Sequence, residues 1–383
     1  MSISLTGSGP TRTFLPVLPV SRLHLGRMAG SFGMFQHAHG RLPAPAHGYC
    51  TDDMARLVMV DLHQQGRDPS SGILDSIESS LLFLEEAFAP TSGRFRNFRA
   101  ASGAWLDASG TDDSLGRAIQ ALGCVMRLAP ERDQRQRAQR LLRGSLPAGA
   151  GVRAPRPMAY VILGCLDADA GGMAWALAAA EHLAQRLGAM IPHDPSHWPW
   201  PEDVVTYDNG VIPQALIAAG RRFGRDGLTT TGLRCLDWLM AAQLGAGHLR
   251  PVGNRGWWLK GGRPARFDQQ PIEAASLLGA AATAFGVAAD PRWLDMAGRC
   301  LAWFVGDNDL GAAIADPDDG SCRDGLGERD VNPNRGAEST LAWLLSVETA
   351  ARLAASAAGP SGLVDLAVGR RGGARAADVV QDL

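Results

Sequence analysis

Little in this 383-residue chain would tie it to a nucleic acid, a membrane or a metal ion. Its formal net charge of -2 leaves no basic stripe for a phosphate backbone, so nucleic acid is not an expected partner. No run of about 18 uncharged apolar residues is present to span a bilayer. Residues 1–30, broken by Pro10, Pro16 and Pro19, lack the continuous apolar stretch of a secretory signal, which predicts a cytoplasmic protein with an irregular N-terminal segment. The six cysteines, Cys50, Cys124, Cys165, Cys235, Cys300 and Cys322, form no C-x-x-C pair and are expected as reduced core residues. No helical H-x-x-x-H or H-E-x-x-H occurs, so no metal is expected, and no cofactor either. Asp52-Asp53 runs on into Met54-Ala55-Arg56, and Asp112-Asp113 into Ser114-Leu115-Gly116. Neither therefore completes the D-D-x-x-D that holds a magnesium diphosphate.

What the chain does have is internal repetition. Six polar clusters, around Asp52, Asp112, Met158, Asp208, Asp268 and Gly336, are each followed at once by a helix rich in Ala, Leu and Gly. A period of roughly 45 to 70 residues marks repeated supersecondary units. Helices apolar all round, as in 211–219, 274–285 and 341–355, belong in a core. The runs 73–88, 132–146, 173–187, 228–243 and 291–304 carry charge on one face and read as an outer layer. The predicted fold is all-α, a closed ring of alternating inner and outer helices forming one domain over residues 31–356, with a loose tail at 357–383. Only five outer helices are clear for six inner ones. The sixth place falls either to a weak run at 361–368 or to the N-terminal segment.

Two long connections, from Gly93 to Asp112 and from Gly247 to Asp268, each read as a β-hairpin whose second strand carries Trp105 or the pair Trp257 and Trp258. A third, 311–330, has weaker strand character. Each long loop precedes an inner helix, so all of them gather at the end of the ring where inner helices begin. Helix starts favour Asp as a cap, and Asp52, Asp112, Asp208 and Asp268 are candidates. Capping leaves a surplus in Asp53, Asp113, Glu202, Asp203, Glu273 and Glu338. Beside these acids lie Tyr49, Trp105, Tyr160, Trp198, Trp200, Tyr207, Trp257 and Trp258. Carboxylates and exposed rings on one rim suit sugars, whose C–H faces stack on aromatics and whose hydroxyls bond carboxylates and amides. The densest stretch, from Trp198 to Asn209, is held extended by Pro199 and Pro201 and brings two Trp and three acids to one place.

Four motifs carry a family resemblance: His47-Gly-Tyr-Cys-Thr-Asp-Asp53, Trp200-Pro-Glu-Asp-x-x-Thr-Tyr-Asp-Asn209, Phe267-Asp-Gln-Gln-Pro271 and Asn332-Pro-Asn-Arg-Gly-Ala-Glu-Ser-Thr340. Together, over about residues 30–356, they resemble bacterial members of the six-hairpin glycosidase superfamily that are often found beside, and described as, glycosyltransferases. The resemblance implies an (α/α)6 toroid with short β-hairpins in the loops at one end, and carbohydrate chemistry. A transferase reaction is not expected, because the chain has no doubly wound α/β pattern and no Gly-rich phosphate turn after a strand. A glycosyltransferase enters only as a functional partner.

Toroid glycosidases imply an inverting hydrolase, or a phosphorylase of the same geometry, acting on a short oligosaccharide through two carboxylates roughly 6.5–9.5 Å apart. Glu202, which flanking Trp and Pro would desolvate, is the expected general acid. Asp53 is the expected base, with Asp113 and Asp208 next. The expected sugar contacts are His47, Tyr49, Asp52, Trp198, Trp200, Asp203, Tyr207, Asn209, Trp258, Asp268, Gln269, Gln270, Asn334 and Glu338. Trp200, Asp53, Asp113, Asp208 and Glu338 should share one pocket. Arg56, Arg117, Arg323 and Arg335 near the rim keep phosphate open as an acceptor. A reading from a different class is a non-catalytic sugar-binding or scaffold protein working beside a glycosyltransferase. Sugar epimerases of this shape rely on ring-centre histidines, whereas the histidines here sit mostly in loops, as His37, His39, His193 and His197 do.

Overall fold

The computed structural model describes residues 20–67, 70–194, 198–245 and 247–358. A short helix, α1 (Leu23–Met28), comes first. The apolar runs then form α2 (Thr51–Gln65), α4 (Asp112–Leu128), α6 (Pro155–Ala170), α8 (Val211–Phe223), α10 (Pro271–Ala288) and α12 (Ala337–Ala358). The amphipathic runs between them form α3 (Ser71–Ala87), α5 (Arg132–Gly149), α7 (Leu177–Ala189), α9 (Asp226–Gln243) and α11 (Arg292–Phe304). Each even-numbered helix packs on the next and α12 returns to α2, while the odd-numbered helices lie outside on their neighbours. This is the expected (α/α)6 toroid.

Local chemistry explains where the inner helices begin and how closely they pack. Pro155 and Pro271 open α6 and α10, where a missing N–H goes unnoticed. Thr111 caps α4, its Oγ1 accepting from the Ser114 amide at 3.3 Å. The aspartates expected as caps take other places: Asp52 and Asp112 lie inside the first turn, and Asp208 and Asp268 precede α8 and α10 by a few residues. Between α4 and α6 the backbones touch. A Cβ on Gly123 would lie 2.0 Å from the Gly164 carbonyl oxygen, and one on Gly164 would lie 2.5 Å from that of Ile119. Glycine inside a helix costs about 0.5–1 kcal/mol against alanine, and here the close helix contact offsets it.

The core fills the space between the two layers. Trp293, Trp303 and Phe304 of α11 and Trp343 of α12 are fully buried, with Phe304 and Trp343 ring centres 5.2 Å apart. By length and composition α10 is apolar enough to cross a membrane, yet it carries Glu273 and lies packed against α8, α11 and α12. All six cysteines are free and buried.

Two expectations about the loops and one about the N-terminus need correction. Gly93 and Gly247 sit at positive φ (67° and 94°), so each closes a hairpin with the strand before it. Arg94–Phe95 pairs with Phe88–Ala89, and His248–Leu249 with Leu244–Gly245. The strands that follow reach other loops: Phe98–Arg99 pairs with Tyr49–Cys50, and Trp258–Leu259 with Val204–Val205. In the third connection Ala315–Asp316 pairs with Ser321–Cys322. Residues 20–30 are not irregular, because α1 and a two-residue strand occupy them. This segment links α2 to the loop that precedes α12. Arg22 bonds Gln64 and, at 2.5 Å, Asp61 of α2, while His24 Nε2 lies 2.9 Å from the Arg335 carbonyl oxygen. The rival run, 361–368, lies outside the described residues.

Candidate active site

The starts of all six inner helices deliver one polar layer across the ring axis. In α2, Arg56 stands three residues after Asp53 and four after Asp52; in α4, Arg117 stands four after Asp113. Side chains at such spacings share a helix face, and a guanidinium there reaches the next helix. Arg56 Nη1 donates to Asp53 Oδ1 at 2.8 Å and its Nη2 to Glu338 of α12 at 2.7 Å. Arg117 donates to Asp208 at 2.8 Å, and Tyr160 Oη of α6 to the same oxygen at 2.5 Å. Arg156, also of α6, bonds Glu202 at 2.6 Å, Asn209 at 2.9 Å and the Tyr207 carbonyl. Tyr207 in turn donates its hydroxyl proton to Asp113. Glu273 of α10 accepts from the Asp208 and Asn209 amides and, at 2.7 Å, from Asn209 Nδ2. At the far end Arg352 meets His63, Arg67 meets Glu348, and Arg127 meets Asp167 at 2.9 Å. The inner helices are therefore parallel.

Burial sets the protonation of this layer. Asp53 is 4% exposed, and burial pushes its carboxyl up to about 6 in spite of Arg56 and a 3.0 Å bond from Cys50 Sγ. Glu273 is raised to about 8, first by burial and then by the Asp208 charge. Asp52 is partly exposed; desolvation raises its pKa while Arg117 and Arg56 oppose the rise. One Asp52 oxygen, Oδ1, has no hydrogen-bond partner. Burial also raises the Tyr160 and Tyr207 hydroxyls, which keeps both as donors. Asp208 holds a left-handed backbone (φ 48°), which Asp tolerates better than most residues.

Of the expected site residues, the layer gathers Asp52, Asp53, Asp113, Glu202, Tyr207, Asp208, Asn209 and Glu338. The tryptophans go elsewhere. Trp238 of α9 stacks on Trp258 at 4.5 Å, Trp198 stands edge-on to both, and Trp200 lies 6.1 Å from Trp238. Trp200 is 2% exposed and Trp258 8%, so this cluster bolts the loop to the outer helix and offers no broad ring to a ligand. Trp198 Nε1 donates to the Glu202 carbonyl at 2.7 Å, which places Glu202. The expected desolvation of Glu202 is absent: its side chain is 29% exposed and ion-paired with Arg156.

The remaining candidates are dispersed. Tyr49 is buried against Phe35, and His47 is exposed beside His37. Asp203 pairs with Lys260 and Asp268 with Arg255. Gln269 is buried, bracing Trp303 and Asp309, while Gln270 adjoins the start of α10 and Asn334 accepts from the Gly40 amide. Gly336 lets Asp324 and the Gln36 carbonyl approach closely, its amide donating to Asp324 at 2.7 Å. Sequence reasoning gave no role to Arg156, counted Glu273 among the surplus acids without naming it as a site residue, and treated Arg56 and Arg117 only as phosphate contacts. The available signal was a charged side chain inside the first turns of otherwise apolar helices.

Below the layer an axial cavity of about 770 Å³ runs toward the far end of the ring, with Arg56, Arg117, Tyr160 and Asp208 at its inner end. Of the five residues expected to share a pocket, only Asp208 lines it, and Trp200 is in the core. Asp52, Asp113 and Glu338 do not line the cavity; partly exposed, they belong to the helix-start face. Among the described residues no group of three or more His, Cys, Asp or Glu side chains could hold a metal ion.

Neither a family model nor a curated protein matches the sequence. Solved structures do match in fold. A D-mannose isomerase aligns with a TM-score of 0.66 at 11% identity, over 86% of this chain and 94% of its own. A cellobiose 2-epimerase from Spirochaeta thermophila aligns at 0.65 and 13%, over 86% and 93%. An α-1,6-mannanase of Salegentibacter sp., an inactive variant with two adjacent aspartates replaced and α-1,6-mannotetrose bound, aligns at 0.61 and 10%, over 87% and 96%. The chain thus has the fold of the six-hairpin glycosidase-like toroid enzymes.

Proposed function

We propose that the chain is a carbohydrate-active enzyme, a glycoside hydrolase acting with inversion on a short, uncharged oligosaccharide at the helix-start face of the ring. The observation that carries this reading is the placement of Asp52 and Asp113 in the first turns of adjacent inner helices, both partly exposed and neither ion-paired to an arginine among the described residues, with burial raising the Asp52 carboxyl. In the neighbouring mannanase it is a pair of adjacent aspartates whose replacement accompanies inactivity, and this chain has two such pairs at inner-helix starts, Asp52-Asp53 and Asp112-Asp113. Asp53 itself has both oxygens engaged, by Arg56 and Cys50, and Glu202 is held by Arg156. Asp52 is therefore the better general acid and Asp113 the better base.

In this mechanism Asp52 gives its proton to the glycosidic oxygen as the C–O bond breaks. Asp113, steadied by the Tyr207 hydroxyl, takes a proton from the water that attacks the anomeric carbon from the opposite face. Water suits the site better than phosphate. With Asp52 and Glu273 protonated, the five carboxylates of Asp53, Asp113, Glu202, Asp208 and Glu338 still outnumber the three guanidinium groups of Arg56, Arg117 and Arg156, and an anionic acceptor would meet net repulsion.

A second reading, a sugar epimerase or isomerase, is favoured by the exposed His37 and His47, whose ring centres are 4.7 Å apart. His37 also interacts electrostatically with Asp324 beside Glu338, so imidazoles for proton shuttling lie near this rim. Proton NMR in D2O with α-1,6-mannotetraose, cellobiose and mannose distinguishes the two readings. Hydrolysis yields a new reducing end of inverted configuration, whereas epimerisation exchanges the C2 proton. Asp52→Asn and Asp113→Asn should each lower turnover by about 100-fold or more while sugar binding persists. Wild-type turnover in both variants would overturn the assignment.

A further inference from the structure

The far mouth of the axial cavity lies at the C-terminal ends of the inner helices, away from the sugar face, and Gly286, Arg127, Arg352 and Ser356 there are exposed. Its walls carry Met59, Leu163, Leu166, Ile272, Phe285 and Leu345, interspersed with the polar Gln120, Gln214, Ser276 and Thr283. Its volume of about 770 Å³ falls in the range of small-molecule sites. The mouth is cationic but unevenly neutralised. Arg127 has Asp167 and Arg67 has Glu348. Arg352 has no such partner: its Nη1 contacts His63 Nδ1, its Nη2 contacts Thr349 Oγ1 at 3.2 Å, and Glu348 and Asp167, already paired, act on it only from beyond ion-pair distance.

Arginines near helix C-termini need no ligand when they bond the terminal carbonyls. Arg352 does not do so, since its two nitrogens go to an imidazole on another helix and to a hydroxyl. Nor does His63 answer its charge. Burial, then Arg352, Arg127 and Arg67, keep the imidazole neutral, and its Nδ1 accepts the Arg352 proton.

We propose that this mouth is a second ligand site, one that binds an amphipathic carboxylate, with an acyl chain against the apolar residues of the axis and the carboxylate on the Arg352 guanidinium. A guanidinium fork matches a carboxylate in shape as well as charge. The inference does not depend on the sugar chemistry of the opposite face.

Calorimetric titration of the full chain with laurate, dodecanol and acetate tests it, each below any micellar concentration. Laurate should bind saturably and at least about tenfold more tightly than dodecanol, which has the chain without the charge, and acetate should not bind measurably. Arg352→Gln should weaken laurate by about tenfold and leave dodecanol unchanged. Ala282→Phe, which fills the wall, should weaken both; should that variant not fold, Arg352→Gln, at an exposed position, still decides. Equal affinity for laurate and dodecanol, or no effect of Arg352→Gln, would overturn the proposal. So would laurate binding seen only in a variant ending at Ala358, since the chain's own tail would then be the natural occupant.

Discussion

Replacing Glu273 by glutamine should change how stability depends on pH more than it changes stability itself. The carboxyl has an ordinary pKa of 4.5 and is raised to about 8 in the folded protein. Between those values the folded chain holds a proton that the unfolded chain has released, so stability falls as pH rises. At about 1.4 kcal/mol per pKa unit, the loss between pH 5 and pH 8 comes to about 3–4 kcal/mol. Glutamine stays neutral throughout. Its Oε1 can still accept from the Asp208 amide, but its NH2 then faces the Asn209 amide and Nδ2 donors, a fixed cost of about 1–3 kcal/mol. Asp53, raised from 3.8 to about 6, contributes a fall of the same sign at lower pH in both proteins and cancels in the comparison. Urea unfolding of wild type and Glu273→Gln at pH 5 and pH 8 gives the four free energies required. Wild type should lose about 3–4 kcal/mol more than the variant between the two conditions. Parallel pH profiles would refute the claim that this buried carboxyl titrates near neutrality.

The helix contact and the buried ion pair can be tested in the same way. Gly123→Ala places a methyl 2.0 Å from the Gly164 carbonyl and should destabilise by about 3 kcal/mol or prevent folding, while Gly286→Ala, whose Cβ meets nothing within 4 Å, should be neutral or slightly stabilising by thermal unfolding. Arg117→Met leaves Asp208 buried without its cation and should cost about 3–5 kcal/mol in chemical denaturation at pH 7; a loss below 1 kcal/mol would mean that the pair contributes little to the fold.

The ring was legible because its signal is local. A helix apolar all round, such as α10, declares itself inner by its own composition, and a polar cluster at or just before its first turn marks where each inner helix starts. The loops were not legible to the same degree, since two-residue strands are too short to show a period. Gly247 marked a turn without saying which flanking strand it would join, and Trp258 found its partner in Val205, far away in sequence. The tryptophans misled for a related reason. Trp198 and Trp200 look like a binding platform until Trp238 from α9 is laid against them, and that contact exists only once the outer layer has folded. Acids could be placed at one end from the pattern alone. Which of them remain accessible depends on where the arginines point, and Arg56 and Arg117 choose partners on helices that become neighbours only through ring closure.

That choice of partners also gives the ring two unlike faces. Arg56 and Arg117 each stand one turn below an aspartate, and their guanidinium groups tie α2 to α12 and α4 to the start of α8. The arginines thereby take up Asp53 and Asp208 as structural charges and leave Asp52 and Asp113 a turn nearer the loops. A sugar arriving from the loop side would meet the uncommitted acids first. A ligand entering from the far mouth would meet Arg352 first, and the charges deeper along the axis, at Arg56 and Arg117, are neutralised already. Because the same two arginines separate these environments, substitutions at Arg56 or Arg117 should disturb both faces together, whereas substitutions at Asp52 or at Arg352 should each disturb one.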